Sequence, residues 1–323
     1  MFHVQTPIAR LLIFTFYIFG PLPSFSDLIF RLLASGFWIL TWFPDLRPMR
    51  HSFIDGEFEY EYFVFGNGPT VLFTFHGFDN DAGDFEPLAK VIGHKYTIVS
   101  LNLLFHGTST TNEKVVERGM STEEFLRGIK KLMEFFPAEK YELLGFSLGG
   151  RMVLYLVSRL GAKISRFSLL APDGLKSSAF YRFATGSKIG HGIFKRITDN
   201  PGRFFNIAKA FEKIGLIPEK KLRFARYSLE TPAKRSKVYN SWMVYRHILP
   251  DTDKVKNEIR KNDIRAELFF GKFDVLMRPE LGKSFRNGIE KQARLHVLET
   301  GHQLIKGAVL EQIGKSLIER IEY

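Results

Sequence analysis

The chain has 323 residues, 45% of them hydrophobic, long enough to bury one large α/β domain with an insertion, or two domains. It contains no cysteine, which excludes disulfides, thiolate metal sites and cysteine nucleophiles. The formal net charge of +12 suits anionic partners, although where the charge sits matters more than its sum.

Residues 1–48 are expected to form an apolar N-terminal segment ahead of the folded domain. Within residues 8–43, two greasy runs flank Gly20-Pro21-Leu22-Pro23. A bilayer span takes about 20 continuous apolar residues. The Gly-Pro-Leu-Pro break, with Asp27 and Arg31, leaves neither run long enough alone. Three readings stay open: a membrane-associating hairpin or anchor, a secretory signal without a clear cleavage site, or an extension preceding a true start at Met49. The expected location is cytoplasmic, with membrane association through residues 8–43 on the first reading.

From Phe53 the pattern changes. Asp55-Gly56 and Asn67-Gly68 are turn signals. Between them Phe58, Tyr60, Tyr62 and Val64 alternate with Glu57, Glu59, Glu61 and Phe63, the period of a half-buried strand. These predict antiparallel edge strands. The apolar run 71–75 predicts a strand covered on both faces. It ends in His76-Gly77-Phe78-Asp79. A helix is predicted over 84–93 and a strand over 96–101, leading into Asn102-Leu103-Leu104-Phe105-His106-Gly107-Thr108-Ser109. A second helix is predicted over 121–136, with Ser121 or Thr122 as N-cap and Glu124 in its first turn. Its Phe125, Ile129, Leu132, Met133 and Phe136 recur at helical spacing and read as core.

Gly145-Phe146-Ser147-Leu148-Gly149-Gly150 matches G-x-S-x-G, the pattern of a nucleophile elbow. A short buried strand is predicted before it, over 141–144, and an apolar helix after it, over 152–157. In so tight a turn, side chains at Gly145 and Gly149 would collide with neighbouring backbone. The backbone N–H groups of Phe78 and Leu148 are the candidate oxyanion-hole donors, and Gly77 lets the backbone approach a substrate closely. His76 offers a base or metal ligand, but hydrogen bonding that shapes the loop is the favoured role.

His-Gly-Phe after one strand, His-Gly-x-Ser after the next, and the serine elbow in third place resemble the α/β-hydrolase superfamily. The resemblance covers roughly residues 57–323, with a gap over the insertion. It implies a mostly parallel central sheet flanked by helices, an α/β class, with a helical cap. The domains expected are a core of 49–174 and 262–323 and a cap of 175–261. The family commonly carries aspartate where Asn102 stands, and the residue at His106 is structural in most members. The serine argues against the dehalogenase and epoxide-hydrolase branches, whose elbows hold an aspartate.

A strand over 164–171 closes on Pro172-Asp173-Gly174. Asp173 is a rival for the acid role, although its neighbours suggest a turn. Residues 175–261 then lose all β-like alternation. They hold 20 lysines and arginines against seven acids, so the whole positive excess lies here, together with many aromatics. In the family such an insertion lines the substrate pocket, which implies an apolar or aromatic acyl substrate. The aromatics also suit a small core of the insertion itself; the cations could attract an anionic substrate, lie on acidic lipid or form a solvated face, the last being the favoured reading. No nucleic-acid-binding signature is present.

Two further strands, over 266–271 and 293–299, lead into Asp274 and His302. Ser147, Asp274, His302 is the chain order expected of this fold. The serine needs a base to become a nucleophile. His302 is the candidate base. Asp274 would hold the imidazole tautomer. The expected activity is that of a carboxylesterase-like or lipase-like serine hydrolase needing no metal or organic cofactor. Acyl transfer, thioester or C–C cleavage with the same residues, and a non-catalytic ligand- or membrane-binding role, are the alternatives.

Overall fold

The computed structural model describes residues 49–176 and 178–318. The expectations for residues 1–48, including the apolar runs of 8–43 and a start at Met49, lie outside the described residues except at Met49 itself. Gly56, at φ +61°, turns strand β1 (Met49–Asp55) back onto β2 (Phe58–Phe65) as an antiparallel pair. The aromatic alternation packs Phe58, Tyr60 and Tyr62 into the core.

Strands β3 (Thr70–Phe75), β4 (Tyr96–Leu101), β5 (Thr110–Thr111), β6 (Tyr141–Phe146), β7 (Ile164–Leu170), β8 (Arg265–Gly271) and β9 (Ala293–Leu298) complete the sheet. Its order is β1-β2-β4-β3-β6-β7-β8-β9, with the short β5 paired to β2. β2 runs antiparallel to β1, β4 and β5, and the six strands from β4 to β9 are mutually parallel. Parallel strands are apolar on both faces because helices cover both. On β6, Leu143 joins one apolar cluster while Leu144 and Phe146 join the other.

The helices that supply those covers are legible in their caps and stripes. Helix α1 (Glu86–Ile92) follows a 3₁₀ turn, and α2 (Glu113–Arg118) is capped by the Asn112 side chain. In α3 (Thr122–Glu134), Ser121 and Glu124 form a reciprocal capping box, and Phe125, Ile129, Leu132 and Met133 are buried. Burial of each such side chain stabilises the fold by about 2 kcal/mol. Helix α4 (Leu148–Leu160) starts at the elbow and is buried along most of its length.

Among the described residues, six helices separate β7 from β8: α5 (Ala179–Gly186), α6 (Lys188–Asp199), α7 (Gly202–Lys213), α8 (Glu219–Ser228), α9 (Pro232–Val244) and α10 (Thr252–Asn262). α5, α6 and α9 share a small apolar cluster that includes Ala184, Phe194, Val238 and Met243 and extends to Val116 of α2. α10 differs. Its Val255 and Ile259, one turn apart on a charged helix, are buried in the main core, and α10 packs on α4. The last part of the expected 175–261 insertion therefore packs with the core. Two final helices, α11 (Pro279–Arg286) and α12 (Gly307–Ile318), cover β8–β9 and α1 respectively. Among the described residues no helix is long and apolar enough to cross a membrane.

Candidate active site

β6 ends by delivering Ser147 in a backbone conformation, φ 49° and ψ −112°, that non-glycine residues rarely adopt. Such strain costs about 1–3 kcal/mol and persists only where surrounding bonds hold it. Three bonds hold it here. Ser147 N–H donates to the Leu170 carbonyl at 2.9 Å, and the Ser147 carbonyl accepts from Gly150 N–H at 2.9 Å and Asp173 N–H at 2.8 Å. The flanking glycines are required by close approach. A Cβ on Gly149 would lie 1.9 Å from the Phe75 carbonyl oxygen, and one on Gly145 would lie 2.5 Å from the Gly149 carbonyl oxygen.

The loops after β8 and β9 are tied together by Lys272 N–H to Leu298 at 2.8 Å and Phe273 N–H to Thr300 at 2.9 Å. This brings Asp274 and His302 alongside each other. Asp274 Oδ2 lies 2.7 Å from His302 Nδ1. Its Oδ1 accepts from Leu276 N–H at 2.7 Å and Met277 N–H at 3.0 Å, so the carboxylate, 4% exposed, has both oxygens engaged. An ionised carboxylate only accepts, so the shared proton sits on Nδ1 and leaves the other ring nitrogen an acceptor. That nitrogen, Nε2, lies 3.1 Å from Ser147 Oγ. The structure thus brings the three predicted residues into one hydrogen-bonded chain.

Gly77 presses against the elbow: a Cβ there would meet the Phe146 ring at 2.7 Å and Ser147 Cβ at 3.1 Å. Among the described residues, neither Phe78 N–H nor Leu148 N–H donates a hydrogen bond to a protein acceptor. Two rigid imidazoles shape the loop behind them. His76 Nδ1 donates to the Gly77 carbonyl at 2.7 Å, and Nε2 accepts from Leu103 N–H at 3.0 Å. His106 Nδ1 donates to the Leu104 carbonyl at 3.1 Å, and Nε2 accepts from Asp79 N–H at 3.3 Å. Burial pushes the His76 pKa down to about 4, outweighing the Gly77 carbonyl. Burial, then the neighbouring His76, holds His106 well below the ordinary histidine value.

Sequence reasoning missed two neighbouring groups, Asp79 and Glu61, and the partner of a third, Asp173. Asp79, at φ 63°, accepts from Tyr227 Oη of α8 at 2.9 Å and pairs with Lys237 Nζ of α9 at 3.3 Å, fastening two insertion helices to the loop of Phe78. Buried Glu61 accepts from Asn102 Nδ2 at 2.6 Å and Thr108 N–H at 2.7 Å, and contacts Arg50. Burial raises its pKa, but these three partners together bring it below the usual glutamate range. Asp173, the rival acid, pairs with buried Arg151, whose guanidinium lies 4.2 Å over the Tyr181 ring of α5. The nearest signal in the sequence was an aspartate directly after His76-Gly77-Phe78, since Asp and Asn tolerate a left-handed turn best. Among the described residues no group of three or more His, Asp or Glu side chains could hold a metal ion.

A serine at a strand–helix turn, at the carboxyl end of a parallel sheet, with an aspartate after β8 and a histidine after β9, defines a class of fold and site. The model of the α/β hydrolase fold family matches residues 70–302, and the chain belongs to that family. It is 22% identical over 260 residues to the uncharacterized hydrolase YugF of Bacillus subtilis (strain 168), across 80% of this chain and 92% of that one. An alpha/beta hydrolase fold protein from Burkholderia ambifaria superposes with a TM-score of 0.58 at 18% identity, covering 86% of this chain and 98% of the other. A membrane phospholipase A, described as a bacterial virulence factor, superposes with a TM-score of 0.57 at 16% identity, covering 96% and 94%. At these identities the structural likeness shows the fold.

Proposed function

We propose that the chain is a serine hydrolase that cleaves a carboxylic ester through an acyl-enzyme. The observation that carries this reading is the continuous bond path from Asp274 Oδ2 through His302 to Ser147 Oγ, at 2.7 and 3.1 Å. Ser147 Oγ attacks the ester carbonyl while His302 Nε2 takes its proton. The oxyanion that forms is held by the Phe78 and Leu148 N–H groups, whose hydrogens are free for it. The ester C–O bond then breaks, and His302 returns the proton to the leaving alkoxide. Water repeats the sequence on the acyl-enzyme and releases the carboxylic acid. Asp274 keeps the proton on Nδ1 and stabilises the imidazolium.

The substrate proposed is a small molecule with an apolar or aromatic acyl group, entering beneath the insertion helices α5–α9. Part of the aromatic content of these helices serves their own packing: Phe194 stacks on Trp242 and packs at a tilt against Tyr239. Phe78 and Phe105 of the core loops pack against that cluster, so the insertion covers the loop that holds one oxyanion donor. Turnover of p-nitrophenyl acetate tests the assignment. Ser147→Ala is expected to lower kcat by about 10³-fold or more with the fold intact. Turnover unaltered by that change would remove Ser147 from the mechanism.

A further inference from the structure

Most of the chain's positive excess and most of its exposed apolar side chains collect in the same place. Between residues 180 and 227 stand eleven lysines and arginines against three acids. Of the sixteen large apolar side chains left exposed among the described residues, ten fall in the same stretch. Core formation does not account for them. On α7, Phe205 and Ala208 face the insertion's interior, while Ile207, Phe211 and Ile214 form a separate exposed stripe at four- and three-residue spacing.

The turn joining α7 to α8 makes the pattern sharpest. It reads Lys213-Ile214-Gly215-Leu216-Ile217-Pro218-Glu219-Lys220-Lys221. Ile214 is 68% exposed and Leu216 66%. Gly215, at φ +75°, folds the chain so that both aliphatic side chains stand at one tip. Lys213, Lys220 and Lys221 flank the tip and are exposed. Among the described residues the only ion pair of this stretch joins Lys195 to Asp199, within α6, so the tip's lysines have no acid partner. Glu212 and Glu219 also stand at the tip, but the three ammonium groups outnumber them, and an apolar wedge with a net positive rim matches a surface of anionic headgroups over hydrocarbon. A purely polar anionic partner would leave Ile214 and Leu216 without purpose, and a neutral apolar one would leave the lysines without counter-charge.

We propose that the insertion docks on an anionic lipid bilayer, with Ile214 and Leu216 entering the acyl boundary and Lys213, Lys220 and Lys221 meeting the headgroups. The contact is independent of Ser147 and of the 8–43 segment. It acts over the short range of screened electrostatics, about 8 Å at physiological ionic strength, and weakens as salt rises.

Co-sedimentation of the full chain with phosphatidylcholine vesicles, with and without about 30% phosphatidylglycerol, tests the proposal. The wild type is expected to bind the anionic vesicles, to bind pure phosphatidylcholine far less, and to lose affinity between about 50 and about 500 mM salt. The double variant Ile214→Ser/Leu216→Ser and the triple variant Lys213→Glu/Lys220→Glu/Lys221→Glu are each expected to lower the partition coefficient about tenfold or more. These positions are exposed, so the thermal midpoints should stay at the wild-type value, and Ser147→Ala should bind as wild type. Absence of wild-type binding, binding indifferent to lipid charge, or variants that bind like wild type would overturn the proposal. In the last case another segment holds the membrane. Self-association of the wild type without lipid, abolished in the variants, would assign the patch to a second copy instead and equally overturn it.

Discussion

Asn102 shows how one departure from the family pattern is accommodated by another side chain. Where relatives commonly carry aspartate, the amide here donates to buried Glu61 at 2.6 Å and accepts from Ala82 N–H at 2.7 Å. The carboxylate of this cluster is supplied by β2 instead of by the end of β4. Asn102→Asp would set two carboxylates against each other out of water, and is expected to cost about 3 kcal/mol in urea unfolding at neutral pH. Adding Glu61→Gln should restore most of it; a double variant no more stable than the single would contradict the account. His76 carries a pH dependence of its own. Its unfolded value is near 6.5 and its folded value about 4, so between those the unfolded chain takes up a proton that the folded chain refuses. Stability from this group is complete above pH 6.5 and falls as pH drops towards 4. His76→Gln can make the same two bonds without titrating. It should flatten the fall in urea midpoint across that window, with His106, and Glu61 near its lower end, contributing to the slope that remains.

At the scale of elements, the loop after β3 is held from both sides. His76 and His106 pin it from the core, and Tyr227 and Lys237 clasp Asp79 from α8 and α9. The placement of the Phe78 N–H therefore depends on the insertion being seated. Asp79→Asn, which tolerates the same φ, and Lys237→Met, which keeps the apolar stem, should each lower kcat about tenfold. Because both open the same ion pair, the double variant should be little worse than either. Multiplicative losses in steady-state kinetics would mean that the two act separately.

For the molecule as a whole, what was legible in the sequence was what repeats locally. Continuous apolar runs marked the parallel strands, an N-cap hydroxyl at Ser121 or Thr122 with Glu124 behind it marked α3, and each site residue followed one of those strands in chain order. What was not legible depended on partners far along the chain. Glu61 sits at a position that alternation assigns to solvent, yet the 102–109 loop covers it through Asn102 and Thr108. Asp79 reaches its partners across 148 and 158 residues. α10 reads as charged and insertion-like, and only its packing on α4 reveals that Val255 and Ile259 are core. Charge totals located the basic stretch correctly but not the apolar tip within it, because exposure is a tertiary property.

The relay from Asp274 to Ser147 is the claim on which the functional account stands. Labelling of the folded full chain with a fluorophosphonate, followed by peptide mass mapping, addresses it directly. The account predicts one adduct, on the peptide containing Ser147, absent from Ser147→Ala and formed about 10³-fold more slowly in His302→Ala. No adduct on the folded wild type, or an adduct on another residue that survives Ser147→Ala, would contradict it.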